Sequence, residues 1–526
     1  MLNTFCPIVF GKKFETSKYR IKMENQIKAG AALNYVIIGI NALVGLLYTP
    51  YMLRMLGQNE YGLFSLVASV ISYLTILDFG FGNAIIRYTA KFRAENKTTE
   101  QYEMFGMFMK LFCAIGLFAF CIGIILCFNV DNLFDKSMSP EELSKAKILL
   151  LILLINLALT FPLSVYGSII NAYENFIFQK LAQIARIVLS TIAMIVILRL
   201  GYKAIGLVVV QTVFNIAFLF ANAFYCRHEL KIKIVFGKMN WSFFREILFY
   251  SFWIFLGAIT EQFYWNSGQW ALGIFQGTTM VALFSLAIQL KGMFYLFSSA
   301  ISSVFLPKVT RMVTSNTTAK EISDLFIKTG RIQYAVISYI IVGFVIFGKS
   351  FITLWVGEEY MPVYYIVLMI FVCTTIPSIQ NLGNSILMAY NNMKRKAVIV
   401  VLTSLLSFIA IFPCAKYWGA VGCSFPIFLC IVITYGPILN KMYARVIGIN
   451  VRQFWIEIFK MSLVPSLFVV AGLLILPYTD FSDWSKLGLG IIAFSVFYLP
   501  VSYRLSLNNY ERNYFNSFMR KIKFVR

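Results

Sequence analysis

Histidine is almost missing from this chain: one residue, His228, in 526. Acid is scarce as well, with 23 Asp and Glu against 46 Lys and Arg, and all charged residues together make up only 13%. Each shortage excludes something. A lone His in a basic loop cannot build a His-ligated metal site or a His-based catalytic pair, so His228 reads as a solvated loop residue. The nine Cys contain no CxxC pair, and Cys113, Cys121, Cys127, Cys373 and Cys430 lie inside apolar runs, where Cys serves as a small packing residue. A charge content of 13% falls short of the roughly 25% of an ordinary soluble chain. The longest connections between apolar runs, near 129–146, 227–245 and 306–331, cannot hold a catalytic domain. No signal peptide is evident, because Lys12, Lys13, Lys18, Arg20 and Lys22 come without a long apolar stretch. The segment from Met23 reads as a natural start, with residues 1–22 as an upstream extension.

What the chain has is hydrophobic residues, 59% of the total against roughly 45–50% in soluble proteins. They come in runs long enough to cross a bilayer, which takes about 20 residues. Such runs fall at 31–53, 62–86, 106–128, 148–171, 178–199, 204–226, 246–268, 280–305, 332–354, 361–389, 397–417, 419–440, 455–477 and 486–503. The expected fold is an all-α integral membrane protein of about fourteen transmembrane helices. Pro162, Pro377, Pro437 and Pro465 lie inside runs, where proline is tolerated and can kink the helix.

The net charge is +23. A nucleic-acid reader would gather such charge on a soluble domain; here it sits in the gaps between apolar runs, so no nucleic-acid partner is expected. Basic loops face the cytoplasm. With a cytoplasmic amino terminus, that side receives Lys12 to Lys28, Arg87 to Lys97, Lys180, Arg227 to Arg245, Lys308 to Arg331, Lys394 to Lys396, Lys441 to Lys460 and Arg504 to Arg526. The opposite side carries Asp131, Asp135, Glu141, Glu142, Glu358, Glu359, Asp480 and Asp483. Both termini are then cytoplasmic and the span count is even.

The chain also repeats itself. Residues 168–175 read SIINAYEN and residues 385–392 read SILMAYNN; GYKAIGL at 201–207 matches KYWGAVGCS at 416–424; GQNEYGLFSL at 57–66 matches GTTMVALFSL at 277–286; Asn41 corresponds to Glu261. The matches run in the same order at nearly constant offset. Six spans are thus duplicated with the same orientation, as two lobes around a central cavity. The expected layout is a cytoplasmic tail at 1–30, an N-lobe of helices 1–6 at 31–226, a linker at 227–245, a C-lobe of helices 7–12 at 246–440, helices 13–14 at 441–505 and a basic tail at 506–526.

Several motifs accompany this layout. Arg54-Met-Leu-Gly57-Gln-Asn-Glu-Tyr61-Gly62 follows the first run, Asp78-Phe-Gly80-Phe-Gly82 then Arg87 ends the second, Phe305-Leu-Pro307-Lys308 closes the eighth, and Gly206 and Gly422 stand at equivalent turns. From about Met23 onward the chain resembles the multidrug/oligosaccharidyl-lipid/polysaccharide (MOP) exporter superfamily, and within it the bacterial oligosaccharide flippases of the Wzx type. The resemblance implies transbilayer movement of undecaprenyl-pyrophosphate-linked oligosaccharide, the repeat unit of O-antigen, capsule or exopolysaccharide, from the inner to the outer leaflet of the bacterial cytoplasmic membrane. The expected partners are the lipid-linked oligosaccharide, membrane lipids, a polysaccharide polymerase and a chain-length regulator. No covalent chemistry and no cofactor are implied.

Charges inside spans are costly, about 2.5–3.5 kcal/mol each on insertion scales, and mark functional candidates. Lys291 with Tyr295, Ser298 and Ser302 forms a polar stripe at helical spacing, expected to face the cavity and hold a pyrophosphate, or else to pair Lys291 with Glu261 or Asp78. Glu261 and Asp78 are candidates for Na⁺ or H⁺ coupling, or for gating or static ion pairs. Asp78 would pair with Arg87 or Arg186. Arg186 lies in the fifth run with Gln183 one turn before it. Asn34, Asn41, Gly45 and Tyr48 share one face of the first run, either to bond sugar hydroxyls or to glue helices. Arg87 and Lys308 either capture the entering pyrophosphate or reach to headgroups, as Arg54, Lys110 and Lys180 do. The alternatives are a lipid II or spore-cortex precursor flippase, a drug/cation antiporter, a membrane glycosyltransferase or polymerase, and a scaffold for glycan-assembly enzymes.

Overall fold

The computed structural model describes residues 17–237, 241–315, 317–390, 392–509, 511–513 and 516. Residues 1–16, most of the expected upstream extension, and 517–526 of the expected basic tail lie outside the described residues. Everything regular among the described residues is helix: α1 (Ser17–Leu56), α2 (Gln58–Thr75), α3 (Phe81–Ala94), α4 (Thr98–Phe128), α5 (Val130–Phe134), α6 (Pro140–Ala172), α7 (Phe176–Arg199), α8 (Ala204–His228), α9 (Trp241–Trp265), α10 (Ser267–Phe275), α11 (Thr278–Thr314), α12 (Ala319–Val356), α13 (Val363–Ile379), α14 (Leu382–Ala389), α15 (Met393–Ile433), α16 (Leu439–Val446), α17 (Val451–Ile475) and α18 (Trp484–Leu505).

Among the described residues twelve helical segments are long and apolar enough to cross a membrane, and Trp241–Phe249 with Ser251–Phe275, bent by 42°, makes a thirteenth if the pair is one span. Met393–Val446 counts once among the twelve yet runs 54 residues, about 80 Å at 1.5 Å per residue against a hydrocarbon core of about 30 Å. Its backbone breaks at Gly419, with φ 59° and ψ −146°, a conformation open essentially to glycine alone. It therefore reads as two segments, at the boundary expected between the runs 397–417 and 419–440. Pro437 lies in a π-helical turn, Thr434–Ile438, while Pro162, Pro377 and Pro465 lie inside continuous helices.

Two compact units emerge: Met1–Gln262 with Gly273–Ala282, and Phe263–Leu272 with Leu283–Arg526. In the first, α6 is the centre, packed by α2, α3, α4 and α8. It starts at a capping box in which the Ser139 hydroxyl accepts from the Glu142 amide at 3.3 Å and Glu142 accepts from the Ser139 amide at 2.9 Å. Its Leu150, Leu153, Leu154, Leu157 and Phe161 are buried at helical spacing, and Phe161 stacks on Phe112, whose edge meets Phe81.

In the second unit α12 is the hub for α13, α17 and α18, with Val342, Ile346 and Phe347 packed on Leu487 and Tyr498. Lipid offers apolar groups as good a solvent as another helix, so packing and interhelical hydrogen bonds hold such a bundle. Tyr334 to Ser462, Tyr339 to Ser495 and Ser338 to Tyr498 provide them, at 2.7, 2.7 and 3.2 Å. On α17, Phe459, Leu463, Leu467, Val470 and Leu474 are each more than half exposed, a stripe that suits hydrocarbon and not water.

Candidate functional site

The site is built from polar groups inside apolar helices, so each needs a partner within the protein or an aqueous cavity. In the first unit the centre is Arg186 on α7. Its Nη1 donates to Asn215 Oδ1 on α8 at 2.8 Å, and the guanidinium lies 4.9 Å from the Phe218 ring. The Asn215 amide nitrogen donates to Asn156 Oδ1 at 2.8 Å and Thr160 Oγ1 at 3.0 Å, both on α6. The two donations fix which end of the Asn215 amide faces the arginine. No carboxylate pairs with Arg186 among the described residues, so its charge is held by neutral dipoles. Asn156, Thr160 and Asn215 were missed in the sequence; polar residues four apart inside one apolar run, with another in a second run, are the signal that finds them.

Asp78 lies elsewhere in its span than a continuous helix would put it. It ends a 3₁₀ turn, Ile76–Asp78, and is followed by Phe79 and Gly80 with φ of 51° and 71°. The Asp-Phe-Gly-Phe-Gly motif is thus the break between α2 and α3, and Phe79 stacks on Phe255 with centroids 4.3 Å apart. Asp78 is half-buried and forms no ion pair with a described residue, nor does exposed Glu261. Arg87 is exposed, with its guanidinium 5.9 Å from the Tyr88 ring. Asn34 is exposed and accepts from Lys180 Nζ at 3.0 Å, so Lys180 bonds a neighbouring helix. Asn41 is exposed on the same helix, whereas the Tyr48 hydroxyl is buried with no hydrogen-bond partner among the described residues.

Also in the first unit, the two turns matched by the internal repeat bond to each other. Thr279 Oγ1 donates to Asn59 Oδ1 at 2.7 Å, 220 positions apart, and Thr278 Oγ1 donates to Glu142 Oε1 at 2.7 Å. Gly62 is required there: a Cβ on it would come within 1.8 Å of the Thr278 carbonyl oxygen.

In the second unit Lys291 on α11 is half-buried, with Nζ 3.7 Å from the centroid of the Trp265 ring, a cation–π contact of about 0.5–2 kcal/mol. Tyr295 is exposed. The four-residue stripe expected to face one open surface divides here. Ser298 donates to the Ser378 carbonyl at 2.7 Å, and Gln333 Nε2 donates to Ser298 Oγ at 3.3 Å and Ser302 Oγ at 2.7 Å. Both serines are buried against α12 and α13 because Gln333, sunk in the bundle, needs acceptors. Helical spacing shows which residues share a face, not what covers it. The side chain of Lys308 lies outside the described residues.

Two cations assigned by sequence to loops are buried. Lys396 on α15 donates to Asn384 Oδ1 and lies 5.8 Å from the Tyr435 ring beside the π-helical turn. Arg331 on α12 is 4% exposed and clamped: Nε and Nη2 meet the two Glu511 oxygens at 2.5 and 3.0 Å, Nη1 meets Glu457 Oε2 at 2.7 Å, and Nη2 also donates to the Ser506 carbonyl at 3.0 Å. The start of the expected basic tail is therefore docked.

Long apolar helical spans define a multi-pass membrane protein. The family described as Polysaccharide biosynthesis protein matches residues 27–313, and the chain belongs to that family. The Salmonella typhimurium (strain LT2) protein named “Putative O-antigen transporter” is 32% identical over 103 residues, which are 19% of this chain and 23% of that relative. Among solved structures, the lipid II flippase MurJ in an inward closed conformation aligns with a TM-score of 0.69 and 16% identity, over 90% of this chain and 99% of its own. An inward-facing multidrug resistance MATE family transporter of the MOP superfamily aligns with a TM-score of 0.59 and 12% identity, over 78% of this chain and 98% of its own. The fold is thus the expected all-α bundle of membrane spans, shared with these transporters.

Proposed function

We propose that this protein is a flippase that carries undecaprenyl-pyrophosphate-linked oligosaccharide repeat units from the inner to the outer leaflet of a bacterial cytoplasmic membrane, with both termini in the cytoplasm, for surface polysaccharide assembly. The observation that carries this reading is Arg186: a membrane-embedded cation held only by neutral amide and ring groups among the described residues. Such a cation is expensive to keep, and its charge is available to an anionic cargo. Lys291, resting on an indole face, is the second unit's cation along the same path. Arg87 and Lys308 recruit the pyrophosphate; Asn34, Asn41 and Tyr295 bond the glycan.

Transport proceeds by alternating access. The bonded turns around Asn59 and Thr279 part when the path opens at their end. An inside-negative potential favours outward movement of an anion by about 2.3 kcal/mol per charge per 100 mV. Asp78 and Glu261, which lack ion-pair partners among the described residues, take up Na⁺ or H⁺ in the return step. A polymerase and a chain-length regulator receive the flipped units.

The test is translocation of a short undecaprenyl-pyrophosphate glycan in liposomes, comparing the purified protein with Lys291→Ala and with protein-free vesicles. Transport that needs Lys291 supports the reading. Transport indifferent to Lys291 keeps the flippase and removes the site assignment. Absence of transport by folded protein, with lipid extracted from the native host as cargo, rejects the flippase, and drug-cation efflux in the same vesicles then identifies an antiporter.

A further inference from the structure

The first unit contains a groove that no part of the transport reading uses. It lies between α7 and α8, has a volume of about 560 Å³, and is lined by Phe178, Ala217, Phe220, Ala221, Phe224, Tyr225 and Glu229. It is a trough open along one side rather than an enclosed cavity. Its shape follows from the sequence of α8. Ala217 and Ala221, one turn apart, leave a trough, and Phe220 and Phe224, both exposed, form its rims. One wall is stiffened by Phe178 stacked on Tyr225 at 3.8 Å and 8°, and Phe224 is backed by the His228 ring at 4.2 Å.

The groove is apolar along its length and acidic at one end. Glu229 is its only charged lining residue and follows directly on the last residue of α8, where the chain leaves the apolar span. Neighbouring Arg227 is turned to the Tyr166 hydroxyl at 3.4 Å and is not part of the lining. An occupant must therefore lay hydrocarbon along the alanines and set a cationic group at the membrane surface. Exposed Lys231 and Lys233 follow within four residues of Glu229, so this end suits a zwitterionic headgroup, with a phosphate for the lysines and an ammonium for the carboxylate. We propose that this groove is a binding site for an aminophospholipid, with an acyl chain between Phe178, Phe220 and Phe224 and the primary ammonium on Glu229. The occupant is a bilayer lipid rather than a soluble cation because the trough opens along the exposed flank of α8.

The experiment uses the full-length protein in nanodiscs containing a photoactivatable phosphatidylethanolamine, with the matching phosphatidylglycerol as the anionic control, and reads labelled peptides by mass spectrometry. The expected result is labelling of 217–229 at least fivefold stronger with phosphatidylethanolamine. Glu229→Gln should remove that preference, and Ala221→Trp, which fills the trough from an exposed position, should abolish labelling there. Equal labelling by the two lipids, or a preference indifferent to both substitutions, overturns the proposal. Displacement by a soluble organic cation but not by excess phosphatidylethanolamine also overturns it and assigns the groove to a drug-like ligand. None of these readouts depends on glycan transport, so failure here leaves the flippase reading standing, and the reverse holds too.

Discussion

Arg186, half-buried, and Arg331, fully buried, both lie inside helical bundles, and their surroundings are opposite. Arg331 in the second unit meets two carboxylates, one of them bidentate, and a backbone carbonyl. Arg186 in the first unit meets one amide oxygen and the face of a ring. A buried cation whose charge is cancelled on the spot ties elements together; α12, α17 and the chain after α18 converge on Arg331. A half-buried cation left uncancelled contributes little cohesion for its desolvation cost, and its charge is available to something that arrives. The contrast separates a structural arginine from a functional one on chemistry alone.

The largest effect should come from breaking the structural clamp. Arg331→Met strands Glu511, whose side chain is 2% exposed, as an uncompensated buried charge, and such a loss costs about 3–5 kcal/mol. Thermal unfolding in detergent should show a clear drop, and adding Glu511→Gln should recover part of it because the two sites couple. An unchanged midpoint would remove the clamp from the argument. At Arg186 the expected damage is to transport. Asn215→Asp sets a carboxylate where the amide oxygen now lies 2.8 Å from Nη1, which turns Arg186 into a paired arginine. Liposome transport should fall tenfold or more while the unfolding midpoint moves little, the new ion pair offsetting the lost donations to Asn156 and Thr160; unimpaired transport would mean that Arg186 does not act by its charge.

A milder change sharpens the same contrast. Lysine keeps the charge and loses the planar fork. Arg331→Lys gives up the bidentate contact with Glu511 and should cost about 1–2 kcal/mol. Arg186→Lys can still donate to Asn215 and should keep transport within a few-fold. Equal loss of stability in the two variants would erase the distinction between the sites.

The sequence carried the helices and concealed their partners. Apolar runs placed the spans because a bilayer demands about 20 such residues wherever it is crossed, and Gly419 falls at the expected junction of two runs. The Asp-Phe-Gly-Phe-Gly motif marked the break after α2, since positive φ favours glycine. The repeat marked the turns that meet at Asn59 and Thr279. Arg331 and Lys396 were read as loop cations because linear position says nothing of a carboxylate 180 residues further on or of an asparagine on a neighbouring helix. Ser298 and Ser302 were placed on an open face for the same reason: their partner, Gln333, lies on another helix. Arg186 was visible as a charge in a span; that Asn156, Thr160 and Asn215 hold it without an acid needed the packing of α6, α7 and α8.

The smallest effect should be at the outer member of the clamp. Glu457 is a quarter exposed and shares itself between Arg331 and Lys460, whose side chain is 65% exposed. Exposed and partly exposed pairs contribute about 1 kcal/mol or less. Glu457→Gln keeps an oxygen to accept from Nη1 and leaves Glu511 to balance the charge, so the unfolding midpoint should fall by about 2–4 °C at most. A fall as large as that of Arg331→Met would mean that Glu457, not Glu511, supplies the compensating charge. The docking of the chain after α18 would then be a consequence of the α12–α17 pair and not its cause.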